Sequence, residues 1–131
     1  MAEHPHVTLV KTGYAAFSRG DFATLQGLFA RDVVQHQPGT SPLAGDYKGV
    51  EAVLGLYGEL ARLSEGTIKV ELQNCFTDGA GHVVAIHRNT ATRQGRKLDS
   101  LTALSFTIIG DKLIDIAALE ADLDVANAFW G

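Results

Sequence analysis

Two side chains in this sequence have the chemistry to move a proton. His87 follows the apolar run Val83-Val84-Ala85-Ile86, and an imidazole gains or loses a proton near neutral pH. Glu120 follows Ile116-Ala117-Ala118-Leu119, and burial in such surroundings raises a carboxyl pKa toward the range useful at pH 7. Both residues also have structural interpretations: His87 can simply bond to a neighbouring strand, and Glu120 can be solvated at an open rim.

A second group of polar residues lies where a ligand could be bound. His36 and Gln37 end a short extended segment directly before Pro38, and strand alternation lets only one of the two face inward fully. Tyr14 and Tyr57 carry hydroxyls on otherwise apolar helical stripes, where amphipathic packing explains them without a function. The pattern leaves open which of these groups contacts a ligand.

No metal or cofactor site is predicted. Cys75 is the only cysteine, and no pair of His, Asp, Glu or Cys residues has a spacing typical of a metal site. The sequence also lacks a serine nucleophile elbow, a P-loop and a dinucleotide fingerprint. Nothing in the sequence requires a cofactor.

The composition limits the class of protein. The 131 residues are 46% hydrophobic and 20% charged, which excludes a disordered chain and fits one domain over residues 1–131. No stretch approaches the roughly 18 apolar residues of a membrane helix, and a net charge of −4 argues against a nucleic-acid partner. The single cysteine and an N-terminus without a signal-peptide layout predict a soluble protein of the reducing cytoplasm.

The first half of the chain has the pattern of helices. Apolar residues at spacings of three and four predict one helix over residues 7–17, which Gly20 ends, and a second helix that Asp21 caps. A third helix is predicted to begin near Gly49. Residues 40–49 contain a proline and two glycines, so they are predicted to form a loop.

The second half changes to alternation with period two, broken by glycine turns. This pattern predicts strands over residues 67–77, 82–93, 98–109 and 112–120, and their short turns require antiparallel pairing. The basic residues around Gln94-Gly95 are interpreted as a solvated hairpin tip, and residues 122–130 as a short terminal turn or helix. Helices followed by a curved antiparallel sheet make an α+β domain that can leave a hollow between its layers.

Four segments of the chain resemble a known family. They are residues 14–22 (YAAFSRGDF), 32–39 (DVVQHQPG), 42–49 (PLAGDYKG) and 83–88 (VVAIHR). Together they look like the SnoaL-like polyketide cyclase family of the nuclear-transport-factor-2-like superfamily, and the resemblance covers nearly the whole chain. It implies a cystatin-like or nuclear-transport-factor-2-like cone, in which three N-terminal helices pack on a curved antiparallel sheet around an internal pocket.

The resemblance also indicates which strand residues face that pocket. Alternation alone leaves two sets of residues open on the strand 82–93, and the resemblance places His87 and Asn89 inward. It likewise places Thr102 and Glu120 inward on the following strands. We therefore predict that His87 and Glu120 are catalytic. The predicted substrate-binding residues are His36, Gln37, Tyr57, Asn89 and Thr102.

The ketosteroid isomerases of the superfamily provide a contrast. Their tyrosine, base aspartate and protonated aspartate align with Gly13, Gln37 and Leu104, so all three roles are vacant here. The chain is not expected to use that mechanism. The resemblance implies instead a small-molecule pocket protein, with proton transfer next to a carbonyl of a small apolar substrate in a cyclisation or isomerisation. The alternatives are a non-catalytic ligand-binding domain or a dimeric assembly domain of the same fold.

Two structural predictions complete the sequence-based interpretation. The outer sheet face should carry a largely apolar set of residues, which usually marks an interface, and the resemblance implies a homodimer through the sheet. This set is Asp99, Leu101, Ala103, Ser105, Thr107 and Ile109. The residues predicted to be nearly fully buried are Phe17, Phe29, Leu54, Val70, Phe106 and Ile116.

Overall fold

The computed structural model describes residues 3–131; residues 1 and 2, which the single-domain prediction includes, lie outside the described residues. The chain forms α1 (Pro5–Ser18), α2 (Phe22–Leu28), β1 (Phe29–Gln37), β2 (Gly45–Lys48) and α3 (Val50–Leu63). It continues with β3 (Lys69–Thr77), β4 (His82–Arg93), β5 (Arg96–Ile109), β6 (Lys112–Glu120) and α4 (Leu123–Trp130). The predicted order of helices and strands is confirmed except for β2, and the C-terminal segment is a helix.

Local sequence signals explain where several elements begin and turn. Asp21 caps α2 because its carboxylate accepts a hydrogen bond from the Thr24 amide at 3.1 Å. Gly20, between α1 and α2, has a φ of 68°, a conformation that L side chains rarely adopt. Gln94 and Gly95 have φ values of 52° and 78° in the tight turn between β4 and β5. The turn at Gln94 and Gly95 places β4 directly beside β5 in the sheet.

Six strands form one curved sheet in the order β2-β1-β6-β5-β4-β3. Strands β3 to β6 pair antiparallel, as their short turns predict. The expectation of a purely antiparallel sheet needs one correction, because β1 lies parallel to β6. These two strands are joined by a long connection through α3 and the other four strands of the sheet, so the argument from short turns does not apply to them.

The segment 40–49, predicted as a loop, contains a further short strand. Gly45–Lys48 pairs antiparallel with residues 34–37 of β1. β2 is a four-residue strand at the edge of the sheet and only Tyr47 is partly buried, so its sequence lacks the apolar alternation that predicts the other strands. The loop prediction is therefore wrong for β2.

The core lies between the helices and the inner face of the sheet. Ile116 has no exposed surface, and Phe29 and Phe106 expose only 5% and 6%. These burials agree with the predicted core and with the predicted register of β5 and β6.

Three predicted core residues are less buried than expected. Phe17, Leu54 and Val70 are half-buried, so the prediction of nearly full burial is wrong for them. Phe17 and Val70 line a cavity inside the fold. Their apolar patterns are therefore explained in part by a hollow rather than by a completely filled core.

Candidate functional site

A cavity of about 120 Å³ lies between the helices and the inner face of the sheet. Much of its lining is apolar, with side chains such as Val10, Phe17, Phe106 and Ile116. The polar residues of the lining are Tyr14, Gln35, Gln37, Tyr57, His87, Asn89, Ser100, Thr102 and Glu120. An apolar hollow with a small set of polar groups is typical of small-molecule sites.

Strand register brings the predicted proton-transfer residues into one row. His87 of β4 lies opposite Thr102 of β5, and Thr102 lies opposite Glu120 of β6. Asn89 lies opposite Ser100 in the next inward row. Because neighbouring strands are spaced by about 4.8 Å, the backbones of His87 and Glu120 are about 10 Å apart. The structure thus places both residues at one cavity, with β5 between them.

Hydrogen bonds connect several of these residues. The Tyr14 hydroxyl lies 2.5 Å from His87 Nδ1, and the two rings pack edge to face with centroids 5.3 Å apart. Asn89 Nδ2 donates to Thr102 Oγ1 at 2.6 Å. Thr102 Oγ1 in turn donates to Glu120 Oε2 at 2.8 Å. These hydrogen bonds form two groups, Tyr14 with His87 and Asn89 with Thr102 and Glu120.

His87 is held as a neutral ring. Burial lowers its pKa to about 4, and a hydrogen bond with the Asn89 side chain opposes this shift only in part. Burial also raises the pKa of the Tyr14 hydroxyl, so Tyr14 keeps its hydrogen at pH 7. A neutral imidazole accepts at one nitrogen and donates at the other. The Tyr14 hydroxyl can donate to Nδ1 of the Nε2–H tautomer or accept from Nδ1–H of the other tautomer, so this hydrogen bond allows either direction.

Glu120 is the carboxyl group of the cavity. Burial raises its pKa, and the hydrogen bond from Thr102 opposes this shift. Among the described residues that line the cavity, none is Lys or Arg. The half-buried carboxyl group therefore lies at a cavity whose described lining has no Lys or Arg to neutralise its charge. A raised pKa makes a carboxylate a stronger base.

A second polar cluster lies on β1 and α3. Tyr57 donates to Gln35 Oε1 at 2.5 Å, and Gln35 Nε2 donates to Gln37 Oε1 at 3.0 Å. Burial raises the pKa of Tyr57, so its hydroxyl remains protonated. Both Gln37 and Tyr57, which the sequence predicts as substrate-binding residues, line the cavity.

His36 lies outside the cavity, which corrects its prediction as a substrate-binding residue. Successive strand residues face opposite sides of a sheet, so His36 faces away from the side occupied by Gln35 and Gln37. Its Nδ1 lies 2.7 Å from Asp46, and its Nε2 lies 2.8 Å from Asp115. Hydrogen bonds to these carboxylates raise the pKa of His36 and hold the ring on the outer face. Of the pair left open by the sequence, Gln37 is the residue that faces the cavity.

The C-terminal helix covers one side of the cavity. Ala126 and Trp130 of α4 belong to the lining. Arg93 and Arg96 donate to main-chain carbonyls in the last turn of α4, where a cation interacts favourably with the helix end. The basic hairpin tip therefore has a structural role, because these two side chains hold α4 in place.

Comparisons with known proteins agree with this architecture. The profile of the SnoaL-like domain family matches residues 10–116. The chain belongs to this family. The uncharacterized protein Rv0034 of Mycobacterium tuberculosis is 35% identical over 130 residues, which cover 99% of each chain.

Solved structures share the fold of this SnoaL-like chain. Bal32a, from a soil-derived mobile gene cassette, superposes with a TM-score of 0.95 at 37% identity, with 97% of each chain covered. An NTF2-like protein from Burkholderia xenovorans superposes with a TM-score of 0.84 at 21% identity, covering 100% of this chain and 99% of the other. The predicted family and the predicted α+β fold class are confirmed. Proteins of this fold family commonly bind small molecules and form dimers.

The SnoaL-like cavity also contains residues that the sequence did not single out as binding residues. The sequence pattern attributes Tyr14 to helix packing. A signal for its position at the cavity is that it directly follows Gly13, with which the tyrosine of the ketosteroid isomerases aligns. Gln35 lies two residues before Gln37 on the same face of β1, so strand alternation alone indicates that both face the cavity. The Ser100 hydroxyl is buried and has no hydrogen-bond partner among the described residues.

Metal and membrane features are described for residues 3–131 only. In this part of the chain, no group of three or more His, Cys, Asp or Glu side chains is arranged to hold a metal ion. None of its helices is long and apolar enough to cross a membrane.

Proposed function

We propose that the protein binds a small, largely apolar molecule with a carbonyl group and transfers a proton next to that carbonyl. The observation that carries this proposal is the position of Glu120, a half-buried carboxyl group beside an apolar hollow whose described lining contains no Lys or Arg. Cyclisation and isomerisation of carbonyl compounds both require such a base, together with donors for the enolate oxygen.

In this proposal Glu120 removes a proton from the carbon next to the carbonyl. The electrons of the broken C–H bond form the C=C bond of an enolate, and the carbonyl π electrons move to oxygen. In an isomerisation, Glu120 returns the proton to another carbon of the conjugated system. In a cyclisation, the enolate carbon attacks a second carbonyl of the same molecule, and the oxygen of that carbonyl takes up the proton.

Several neutral groups are suited to bind the carbonyl oxygen. Gln37 uses only its amide oxygen in its bond with Gln35, which leaves its amide nitrogen for a ligand. The Ser100 hydroxyl has no partner within the described chain. His87 is assigned here as a neutral positioning and donor group rather than as the base, because its pKa is low and its Nδ1 bonds to Tyr14. Asn89 donates to Thr102, and Thr102 donates to Glu120, which positions the carboxyl group at the cavity.

The cavity volume limits the size of the substrate. Its volume is about 120 Å³. An engineered apolar cavity of about 150 Å³ binds benzene. A single six-membered ring or a short branched chain therefore matches the available space.

Hydrogen–deuterium exchange of small cyclic ketones tests the proposal directly. In D₂O, the wild-type protein is expected to accelerate the loss of the ketone α-proton signal in NMR spectra. Glu120→Gln is expected to lower this acceleration about 100-fold or more while the ketone still binds. Glu71→Gln, which changes an exposed carboxylate on β3, serves as the matched control and should leave exchange unchanged. Binding without exchange contradicts proton transfer and supports the non-catalytic ligand-binding alternative.

A homodimer through the sheet is also proposed, and the outer face supports it. Phe76, Leu101 and Leu119 on this face are 57%, 42% and 59% exposed. An exposed apolar patch of this kind commonly marks an interface. Sedimentation at micromolar concentration is expected to show a dimer, which Leu101→Lys converts to a monomer and Leu123→Lys on α4 does not. A monomeric wild-type protein contradicts the dimer, and a dimer that binds no ligand supports the assembly-domain alternative.

A further inference from the structure

The side chains that line the cavity carry an unbalanced charge. Glu120 is the acidic residue of the described lining, and this lining contains no Lys or Arg to oppose it. The other ionisable side chains there are His87, Tyr14 and Tyr57. Burial lowers the pKa of His87 to about 4 and raises the pKa values of both tyrosines, so all three are neutral near pH 7. An ionised Glu120 therefore gives the cavity a single negative charge.

Hydrogen bonding holds the Glu120 carboxylate where it can accept from a ligand. Thr102 lies opposite Glu120 in the pairing of β5 with β6. Its hydroxyl donates to Glu120 Oε2 at 2.8 Å, which fixes the carboxylate at the lining of the cavity. This bond uses one carboxylate oxygen and leaves Oε1 for a ligand.

The amide group of Asn89 provides a second acceptor beside this carboxylate. Thr102 gives its one hydroxyl hydrogen to Glu120, so its bond with Asn89 must come from the amide nitrogen, at 2.6 Å. The amide oxygen of Asn89 is then the group that accepts from other donors, and it has two lone pairs. The amide and carboxyl groups flank the same hydroxyl, so the two acceptors lie together at one part of the cavity.

The rest of the cavity is suited to a compact hydrocarbon. Its volume of about 120 Å³ matches one six-membered ring. Aliphatic side chains such as Val10, Leu104 and Ile116 form part of the walls. The aromatic residues of the lining are Tyr14, Phe17, Phe29, Tyr57, Phe106 and Trp130. A ligand that fills this space therefore combines a small apolar body with one group that donates to the acceptors.

We propose that the cavity binds small primary amines in their protonated form, with the ammonium group paired to Glu120 and the hydrocarbon body against the apolar walls. Such amines are charged at pH 7, because their pKa is close to that of lysine, about 10.4. An ammonium group has three N–H donors and no acceptor, which complements the oxygens of Glu120 and Asn89. This binding goes beyond the proposed function, because it uses the same cavity and requires no proton transfer.

An ammonium group removes an unfavourable feature of the empty cavity. Burial raises the pKa of Glu120 because the carboxylate loses hydration, and the Thr102 hydrogen bond opposes this shift only in part. The loss of hydration is offset when an opposite charge and further hydrogen bonds are supplied together. An ammonium ligand supplies both, whereas an alcohol of the same shape supplies only a neutral hydrogen bond. We therefore expect the cavity to discriminate between ligands by charge.

Calorimetry at pH 8 with cyclohexylamine and cyclohexanol tests this discrimination, because the two ligands have nearly the same shape and differ in charge. The wild type is expected to bind the amine at least about tenfold more tightly than the alcohol. Glu120→Gln keeps the shape of the side chain and is expected to lose the preference for the amine while it still binds the alcohol. Glu71→Gln removes an exposed carboxylate on β3 and is the matched control for the overall negative charge of the protein. It should keep the wild-type preference.

Two results overturn the ammonium site: equal affinities for the amine and the alcohol in the wild type, or a preference for the amine that persists in Glu120→Gln. If Glu120→Gln does not fold, NMR of the wild type decides. The methyl signals of Val10 and Ile116, which line the cavity, are expected to shift when cyclohexylamine is added. Shifts confined to exposed residues contradict binding in the cavity.

The failure of this site and the failure of the proposed function give different results. Amine binding by a protein that does not exchange ketone protons contradicts only the proposed function. If ketone exchange occurs, cyclohexylamine is expected to inhibit it competitively, because the ammonium group occupies the base. Ketone exchange that the amine does not inhibit contradicts only the ammonium site.

Discussion

His87 and His36 are the same residue type on two strands of one sheet, yet their environments have opposite electrostatic effects. His87 faces the cavity, is 5% exposed and bonds to neutral side chains, and burial lowers its pKa to about 4. His36 faces outward with a side chain that is 42% exposed. It lies between Asp46 and Asp115, and hydrogen bonds to their carboxylates raise its pKa.

Burial and the charge of its hydrogen-bond partners decide what each histidine can do. His36 donates to two carboxylates, so its charged form is favoured and it joins β1 to both β2 and β6. Its hydrogen bonds have only one possible direction while it is charged. The partners of His87 are a hydroxyl and an amide, which can each donate or accept. A buried histidine among such groups can change its tautomer without changing its charge.

The largest expected consequence of this difference is a loss of stability in acid that depends on His87. Its pKa is 6.5 in the reference state and about 4 in the folded protein, so acidification protonates the unfolded chain first. The free energy of unfolding therefore falls between these two pH values. A shift of this size corresponds to about 3 kcal/mol at the acid end.

Urea denaturation at neutral pH and near pH 4, in the wild type and in His87→Gln, measures this loss. The wild type is expected to lose about 3 kcal/mol more than the variant. The difference between the two proteins cancels the contribution of Glu120, whose raised pKa has the opposite sign and stabilises the folded state on acidification. Equal losses in the two proteins would show that the folded protein does not disfavour the charged ring.

Alanine substitutions at the two histidines measure how much each ring contributes to stability at neutral pH. His87→Ala leaves the half-buried Tyr14 hydroxyl without its hydrogen-bond partner and is expected to lower the free energy of unfolding by about 1–3 kcal/mol. His36→Ala removes exposed ion pairs and is expected to cost about 0.2–1 kcal/mol. Both proteins should remain folded, and ligand binding should weaken only in His87→Ala. Similar costs at the two positions contradict the assignment of one buried and one exposed ring.

Much of the fold could be predicted because its signals are local in the sequence. The cap at Asp21 and the turn at Gln94-Gly95 depend on a few adjacent residues. Alternation with period two predicts the strands from β3 to β6, and the burial of Phe106 and Ile116 agrees with their register. The parallel pairing of β1 with β6 depends on how distant segments pack, so no turn or local pattern indicates it.

The site could be predicted only in part for the same reason. Strand parity, together with the family resemblance, is enough to place His87 and Glu120 at one cavity. The partner of His36 on β6 is Asp115, which lies 79 residues away in the chain, and no spacing rule indicates such a pair. The contact between Tyr14 and His87 spans 73 residues. Long-range partners therefore decide the chemistry, and they appear only when the chain is folded.

A smaller effect on the free energy of unfolding is expected at alkaline pH and involves His36. Because its folded pKa is raised, its stabilising contribution is complete below pH 6.5 and is lost as the pH rises through the folded value. This direction is opposite to that of His87. Solvent screening limits the loss to about 0.2–1 kcal/mol. Denaturation of the wild type and His36→Gln between neutral and alkaline pH measures it, and a wild type that gains stability relative to the variant contradicts the ion pairs.

The smallest expected effect on stability is that of Ser100→Ala, which extends the comparison to groups inside the cavity. The Ser100 hydroxyl is buried without a partner in the described chain, so its removal breaks no bond and relieves a desolvation cost. The free energy of unfolding should either fall by less than about 0.5 kcal/mol or increase. Thr102→Val, which removes a hydroxyl bonded on both sides, should cost about 1–3 kcal/mol.

Ketone affinity, measured by calorimetry, should nevertheless fall in Ser100→Ala, because the hydroxyl is proposed to bind the ligand carbonyl. Unchanged affinity would remove Ser100 from the binding site, since a group that bonds neither protein nor ligand has no part in recognition.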